Sequence, residues 1–358
     1  MAALAPPKMD SPMRMAEFLQ RLCDVLEWND NAFSQAIHGK YYRHLAEKLE
    51  PAVAALTVSD PDAGEAAHLL LEALTPTQHL DFITAPHIAA TILSPEMFHR
   101  SENRNLFLKA LGITAGCISD NAAPLYNGRG ELVPAPNEVP TKDAYRISFG
   151  GDLPIPFMDR GGNALSPILE DDAKYILGKV ADAGNLIRQV SQQAYAFSMQ
   201  HTEVLAFRYE SQYPADFSSG SFQTLPGFSL ICNCHLATVN EAELADAIIH
   251  EAIHSIIYQF ESFGEPLRRE GKRTDFQVTS PWTGAALGVE SFAQACLVWF
   301  GLLNFWESAC DRGEEPVALY ERARKGFVSL HYVSACHSTE AYLSEGVAAV
   351  LAKLQSFL

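Results

Sequence analysis

The sequence predicts an α+β fold that is mostly α, a strand-then-helix core with an N-terminal helical region before it. Three observations carry this. Apolar residues recur at three- and four-residue spacing over most of the chain. Alternating, strand-like segments are few and lie in its middle. Hydrophobic residues make up 48% and charged residues 19% of 358 positions, enough for a sizeable core and too apolar for disorder. The length suits two lobes, or one large domain with an appended helical region.

Residues 1–118 read as the N-terminal helical region. "MRMAEFLQRLCDVLEW" and "YYRHLAEKLEPAVAALTV" carry helical periodicity, and "DAGEAAHLLLEAL" repeats it with Asp62 as its cap. "TPTQHLDFITAPHIAATIL" turns at Pro76 and breaks before Pro86, and "NRNLFLKALGITAGC" closes the set. Residues 119–160 form a Pro/Gly-rich linker with short strands, since "SDNAAPLYNGRGELVPAPNEVPTKDAY" has loop composition and "RISFGGDLPIPFMDRGG" places short strands around turns. The third region, 161–358, opens on a long helical pattern with a break expected at Gly184. The strand "TEVLAFRYES", the loop "SSGSFQTLPG" and the strand "FSLICNCHLA" follow. Asn240 or Thr238 then caps a helix with acids in its first turn and Gly264 after its end. "GVESFAQACLVWFGLLNFWESACDRG" is another apolar helix, and the rest is helical.

The formal charge of −17 excludes a phosphate backbone as the expected partner and favours a peptide or small molecule. Seven cysteines, Cys117 among them, show no paired framework and read as free thiols of a reducing cytoplasm. The N-terminal segment lacks a basic stretch followed by an apolar run, and "ACLVWFGLLNFW" is shorter than the roughly 20 residues that cross a bilayer. A cytoplasmic protein without membrane partners is expected. The oligomeric state is not written in the sequence.

Chemistry concentrates in "LADAIIHEAIHSIIYQF", residues 244–260. His250 and His254 stand one helical turn apart on one face, so both rings can address one ion, and Glu251 sits about 100° round from His250. This is the H-E-x-x-H arrangement. Neutral imidazoles suit borderline divalent metals, and a carboxylate beside them serves as base or holds a ligand. Unpaired, such groups would cost a few kcal/mol to bury among isoleucines. A third ligand is needed. Ile257 and Phe260 occupy the positions where a metzincin has its glycine and third histidine, so another helix must provide it. Glu290, in an apolar helix with Gln294 one turn on, is the first candidate; Asp275, Glu265, His331 and His337 are weaker ones. "CNCH" at 232–235 reads as ordinary strand residues, and Trp282, Trp299 and Trp306 as core.

From these residues two chemistries stay open: zinc with Glu251 as the base of amide hydrolysis, or iron(II) with a 2-oxo acid and oxygen for C–H oxidation. A non-catalytic peptide-binding protein with a structural metal is a third possibility. In both catalytic cases "GFSLICNC" offers an edge along which a peptide can lie.

The segment from about 217 to 307 resembles the H-E-x-x-H peptide-modification family associated with ribosomally made peptides, through "SGSFQTLPGFSLI", "ELADAIIHEAIHSII", "SPW" and "GVESFAQACLVWFGLLNFWE". "LTPTQHLDFITAPHIAATIL" and "DLPIPFMDR" are similar to its upstream pattern. The resemblance implies a zincin-like strand-then-HExxH-helix core. It implies an iron(II)- and 2-oxoglutarate-dependent oxygenase that hydroxylates side chains of a precursor peptide, often at the β-carbon. His250 and His254 carry over as metal ligands and Glu251 as the motif glutamate. The family's arginine-rich segment after Pro-Trp has no counterpart in "SPWTGAALGV", so the 2-oxo acid carboxylate must find its cation among Arg208, Arg268, Arg273, Arg322 and Arg324.

Overall fold

The computed structural model describes residues 13–115, 145–149, 165–271 and 275–357. Cys117, Arg273, "DLPIPFMDR" and most of the 119–160 linker lie outside these. The chain begins with helices α1 (Met15–Val25), α2 (Ala32–Ser59), α3 (Pro61–Glu72), α4 (Pro76–Thr84), α5 (Pro86–Leu93) and α6 (Ser101–Thr114). There follow β1 (Ile147–Ser148), β2 (Ser166–Pro167), α7 (Glu170–Val190), α8 (Gln192–His201), β3 (Val204–Tyr209), β4 (Ser218–Phe222) and β5 (Leu225–Cys232). The last part holds α9 (Glu241–Glu261), β6 (Gln277–Thr279), β7 (Ala286–Gly288), α10 (Val289–Glu307), α11 (Glu314–Phe327), α12 (Tyr332–Ser338) and α13 (Val347–Lys353). The fold is α+β and mostly helical.

The main sheet is mixed, in the order β1-β3-β5-β4, with β2 also paired to β3. β1, β3 and β5 run parallel, and β4 lies antiparallel on β5. Strand alternation sends Leu205, Phe207 and Ile231 into the large core with α9, while Ala206, Phe228, Leu230 and Cys232 meet Ala90 of α5 on the opposite face. The sheet is therefore covered on both sides, and β5 is buried along its whole length. α1 and the start of α2 join the large core, whereas Tyr41 to Leu111 build a second apolar cluster of their own. Among the described residues no helix is long and apolar enough to cross a membrane.

Three local expectations change. Asp60, not Asp62, caps α3, its side chain accepting from the Ala63 N–H at 3.1 Å. α7 passes through Gly184 unbroken, and that residue is buried facing the rings of Tyr145 and Tyr195. The chain instead breaks at Ser191, which caps α8 by accepting from the Ala194 N–H. "SSGSFQTLPG" is not a loop: its first half is β4, whose serines and glycine give a weak strand signal but pair fully with β5. Trp282 and Trp306 are core residues as expected, the former donating to the Ala323 carbonyl.

α9, α10 and α11 are tied by one buried carboxylate. Asp246 accepts from Trp306 Nε1 at 2.7 Å and from Arg322 Nη2 at 2.8 Å, while Arg322 Nη1 reaches Glu243. Burial pushes the Asp246 carboxyl up to about 6 against the opposing pull of Arg322 and Trp306. A raised carboxyl pKa means stability that is complete below the unfolded value near 4 and lost as pH rises through about 6. Asp246→Asn removes that ionisation. Urea unfolding at a series of pH values is expected to show the variant gaining on the parent protein between about pH 4 and 6, by roughly 3 kcal/mol at most.

Candidate metal centre

α9 is fixed at its start and along its length. Asn240 caps it, accepting from the N–H groups of Ala242 and Glu243 at 3.0 and 2.9 Å, with Glu241 and Glu243 in the first turn favoured by the helix dipole. Leu244, Ile248, Ile249, Ile253, Ile256 and Ile257 are completely buried and hold the helix to its neighbours. His250, His254 and Tyr258 follow at four-residue spacing and form a half-buried strip on one face.

The two Nε2 atoms converge to 3.2 Å. His254 Nδ1 lies 2.7 Å from Gln294 Oε1 on α10. The Gln294 amide also interacts with the Tyr258 hydroxyl, and the amide Oε1 can only accept. His254 then donates through Nδ1, and its Nε2 lone pair points at His250. Burial pushes the His250 imidazole down to about 4, so that ring stays neutral at ordinary pH. Two neutral ring nitrogens this close need a proton or a cation between them. Metal–imidazole bonds of about 2.0–2.1 Å at a tetrahedral angle separate two such nitrogens by about 3.3 Å, so the pair fits an ion.

Glu251 completes the motif. It is 1% exposed, its Oε1 accepts from Ser219 Oγ of β4 at 2.6 Å, and the same oxygen is 3.9 Å from His250 Nε2. Its Oε2 is buried with no hydrogen-bond partner. A buried carboxylate oxygen left without a donor is costly, and beside the imidazole pair it is placed to meet a proton or donor brought by a bound ligand.

Glu290 is not brought to this pair. It lies at the start of α10 with its carboxylate 3.4 Å from Arg268. α9 and α10 run antiparallel: Gln294 stands level with His254 and Trp306 with Asp246. Glu290 therefore falls one turn away, by Tyr258 and Glu261. Among the described residues no three His, Cys, Asp or Glu side chains form a metal-holding cluster. Glu265 accepts from the Met15 N–H, and Asp275, His331 and His337 are exposed. Glu261 is held by the Leu267 N–H and Gln223, and burial pushes it up to about 7.

Of the arginines, Arg268 reaches the Tyr258 end of the strip through Glu290, and Arg322 lies one turn before His250. Arg324 pairs with Glu321, and Arg208 is buried in β3. Cys232 and Cys234 are buried thiols that burial pushes up to about 11 and 12, as strand and turn residues rather than thiolate ligands. Sequence reading missed Ser219 and Tyr258. Tyr258 had a signal, the third member of an i, i+4, i+8 strip; Ser219 had none, since its role depends on a strand pairing.

No protein-family model matches the chain. No curated protein matches it either.

Gln294→Leu keeps the volume but removes the acceptor that holds the His254 ring. Titration with cobalt(II) or zinc is expected to show affinity lowered about 10- to 100-fold, with the helical circular dichroism unchanged.

Proposed function

We propose that this chain is a metal-dependent enzyme that modifies a peptide, and specifically an iron(II)- and 2-oxoglutarate-dependent hydroxylase of side chains in a ribosomally made precursor peptide. The observation that carries the metal is the 3.2 Å approach of His250 Nε2 and His254 Nε2. The oxygenase reading is supported by the resemblance of 217–307 to the peptide-modification family.

The parts have separable tasks. His250 and His254 would hold the ion, and Gln294 orients His254. Iron(II) with a 2-oxo acid and oxygen supplies oxidation of an unactivated C–H bond. Ser219 holds Glu251 in place, leaving Oε2 to take or return a proton at the edge of the site. Among the described residues Arg268 and Arg322 lie by the two ends of the strip, and a guanidinium suits the carboxylate of a 2-oxo acid. β4 is paired on one side only among the described strands. β5, the strand of "GFSLICNC" expected to offer the edge, is paired by β3 and β4 on its two sides, so the open edge is that of β4. Lying beside Glu251, that edge supports a peptide laid down as an added strand. The charge of −17 supports a peptide over nucleic acid.

A second reading, a zinc peptidase, is favoured by one observation. The unpartnered Oε2 of Glu251 beside the imidazole pair has the position of a hydrolytic base. Mass spectrometry separates the two. Incubation of the protein with a candidate precursor peptide, iron(II) and 2-oxoglutarate under air is expected to add one oxygen, about 16 Da. Two shorter fragments formed with zinc would establish the peptidase instead. His250→Ala and His254→Ala are each expected to abolish metal retention and turnover, and parental activity in either overturns the site.

A further inference from the structure

A second polar feature lies on the other side of β4. The stretch between β3 and β4 folds around Asn233, whose own φ of 57° is the left-handed conformation that asparagine tolerates. Asn233 Oδ1 accepts from the Glu210 N–H at 2.9 Å. Its Nδ2 donates to the carbonyls of Tyr213 and Asp216 at 3.0 and 2.9 Å and lies 3.4 Å from that of Glu210. One side chain thus pins both ends of the turn. What it holds open is a cavity of about 290 Å³ lined by Glu210, Tyr213, Ala215, Asp216, Phe217 and Ser218.

The lining contains two acids and no base. Glu210 is 8% exposed, and its Oε1 is buried with no hydrogen-bond partner. Arg208, two residues back in β3, does not neutralise it. Its Nη1 donates to the carbonyls of Phe207 and Ser148, its Nη2 is buried without a partner, and neither nitrogen forms an ion pair with Glu210. A carboxylate oxygen in this state needs a donor, and a cationic one gives the strongest hydrogen bond. The rings of Tyr213 and Phe217 suit the apolar stem of a long basic side chain, with the charge at its tip.

Strand alternation relates this cavity to the metal centre. Ser219 is registered with Ile231 and faces α9, where it bonds Glu251. Ser218 is registered with Cys232, on the opposite face, and lines the cavity. A peptide strand added to the open edge of β4 points successive side chains to these same two faces. We infer that the Glu210–Asp216 cavity is a subsite for a lysine or arginine side chain of the peptide, adjacent in sequence to the side chain presented to His250 and His254. This specificity rests on the reading of the chain as a peptide-modifying enzyme.

The test uses the full-length protein and calorimetric binding of the blocked pentapeptide Ac-Ala-Ala-Lys-Ala-Ala-amide, its norleucine counterpart and n-butylammonium. The lysine peptide is expected to bind at least about tenfold more tightly than the norleucine peptide, the difference that one charge-assisted hydrogen bond gives. Glu210→Gln, which keeps shape, is expected to erase that difference, Asp216→Asn to reduce it, and His250→Ala to leave it unchanged. Equal binding of lysine and norleucine peptides, or a preference that survives in both acid variants, overturns the subsite. Binding of n-butylammonium as tight as the lysine peptide overturns the pairing with β4. Metal titration of the same preparation keeps the two readings apart. Lysine selectivity without metal uptake removes the proposed enzyme and leaves the cavity as a cation site, and metal uptake without lysine selectivity does the reverse.

Discussion

Everything in this structure that bears on chemistry depends on two imidazole nitrogens held 3.2 Å apart. Their spacing is a property of an α-helix, but its constancy is a property of the packing. A helix of 21 residues carrying exposed histidines would let both rings rotate freely. Here the isoleucines on either side of each histidine are completely buried, so the backbone beneath the rings has little freedom. The apolar flanks and the polar strip therefore form one device, in which burial supplies the rigidity that a coordinating pair needs.

Rigidity of the backbone does not fix a ring, and polar contacts from α10 and β4, with Tyr258 one turn on in α9, do the rest. Gln294 on α10 settles the tautomer of His254. Tyr258, stacked near that ring at a 15° interplanar angle, shares the same glutamine. Ser219 reaches across from the sheet edge to Glu251. Each contact joins α9 to a different partner or turn, so a displacement of β4 or α10 would be felt at the site. Asp246 acts in the same sense one turn before His250, where its bonds to Trp306 and Arg322 lock α9 to α10 and α11. Within the motif itself, Glu251 Oε2 is buried without a partner, as are Gln259 Nε2 further along α9 and Ser221 Oγ of β4.

Much of this was legible from local pattern. The helix that carries the motif and the strand before it follow from periodicity, and cap chemistry narrowed the start of that helix to Asn240 or Thr238, of which Asn240 is the cap. The histidine pair follows from spacing. What escaped were features set by tertiary register. β4 reads as a loop because Ser218, Ser219, Gly220 and Ser221 have little intrinsic strand preference, and only pairing with the apolar β5 makes them one. Gly184 reads as a break because periodicity cannot reveal that it packs in the interior of α7, opposite the rings of Tyr145 and Tyr195. Glu290 reads as a ligand because an acid in an apolar helix demands a partner. That reasoning was sound, but the partner it finds is Arg268, in a loop whose position no local pattern specifies.

The placement of Glu290 also bears on what kind of site this is. Antiparallel packing sets Gln294, not Glu290, level with His254, and an amide there serves the ring rather than an ion. Glu290 meanwhile faces Glu261, whose carboxyl is raised partly by that neighbour, and Arg268 offsets the crowding of the two acids. Moving Glu290 away from Arg268 would leave the guanidinium without its acid. The arrangement thus couples a carboxylate to a cation at the Tyr258 end of the strip, rather than adding a third ligand to the pair. The described residues offer two imidazoles, with Arg268 and Arg322 close to the strip they belong to. Both guanidinium groups are already engaged, Arg268 by Glu290 and Arg322 by Asp246 and Glu243, so they anchor the two ends of the strip to α10 and α11 rather than standing free beside the imidazoles.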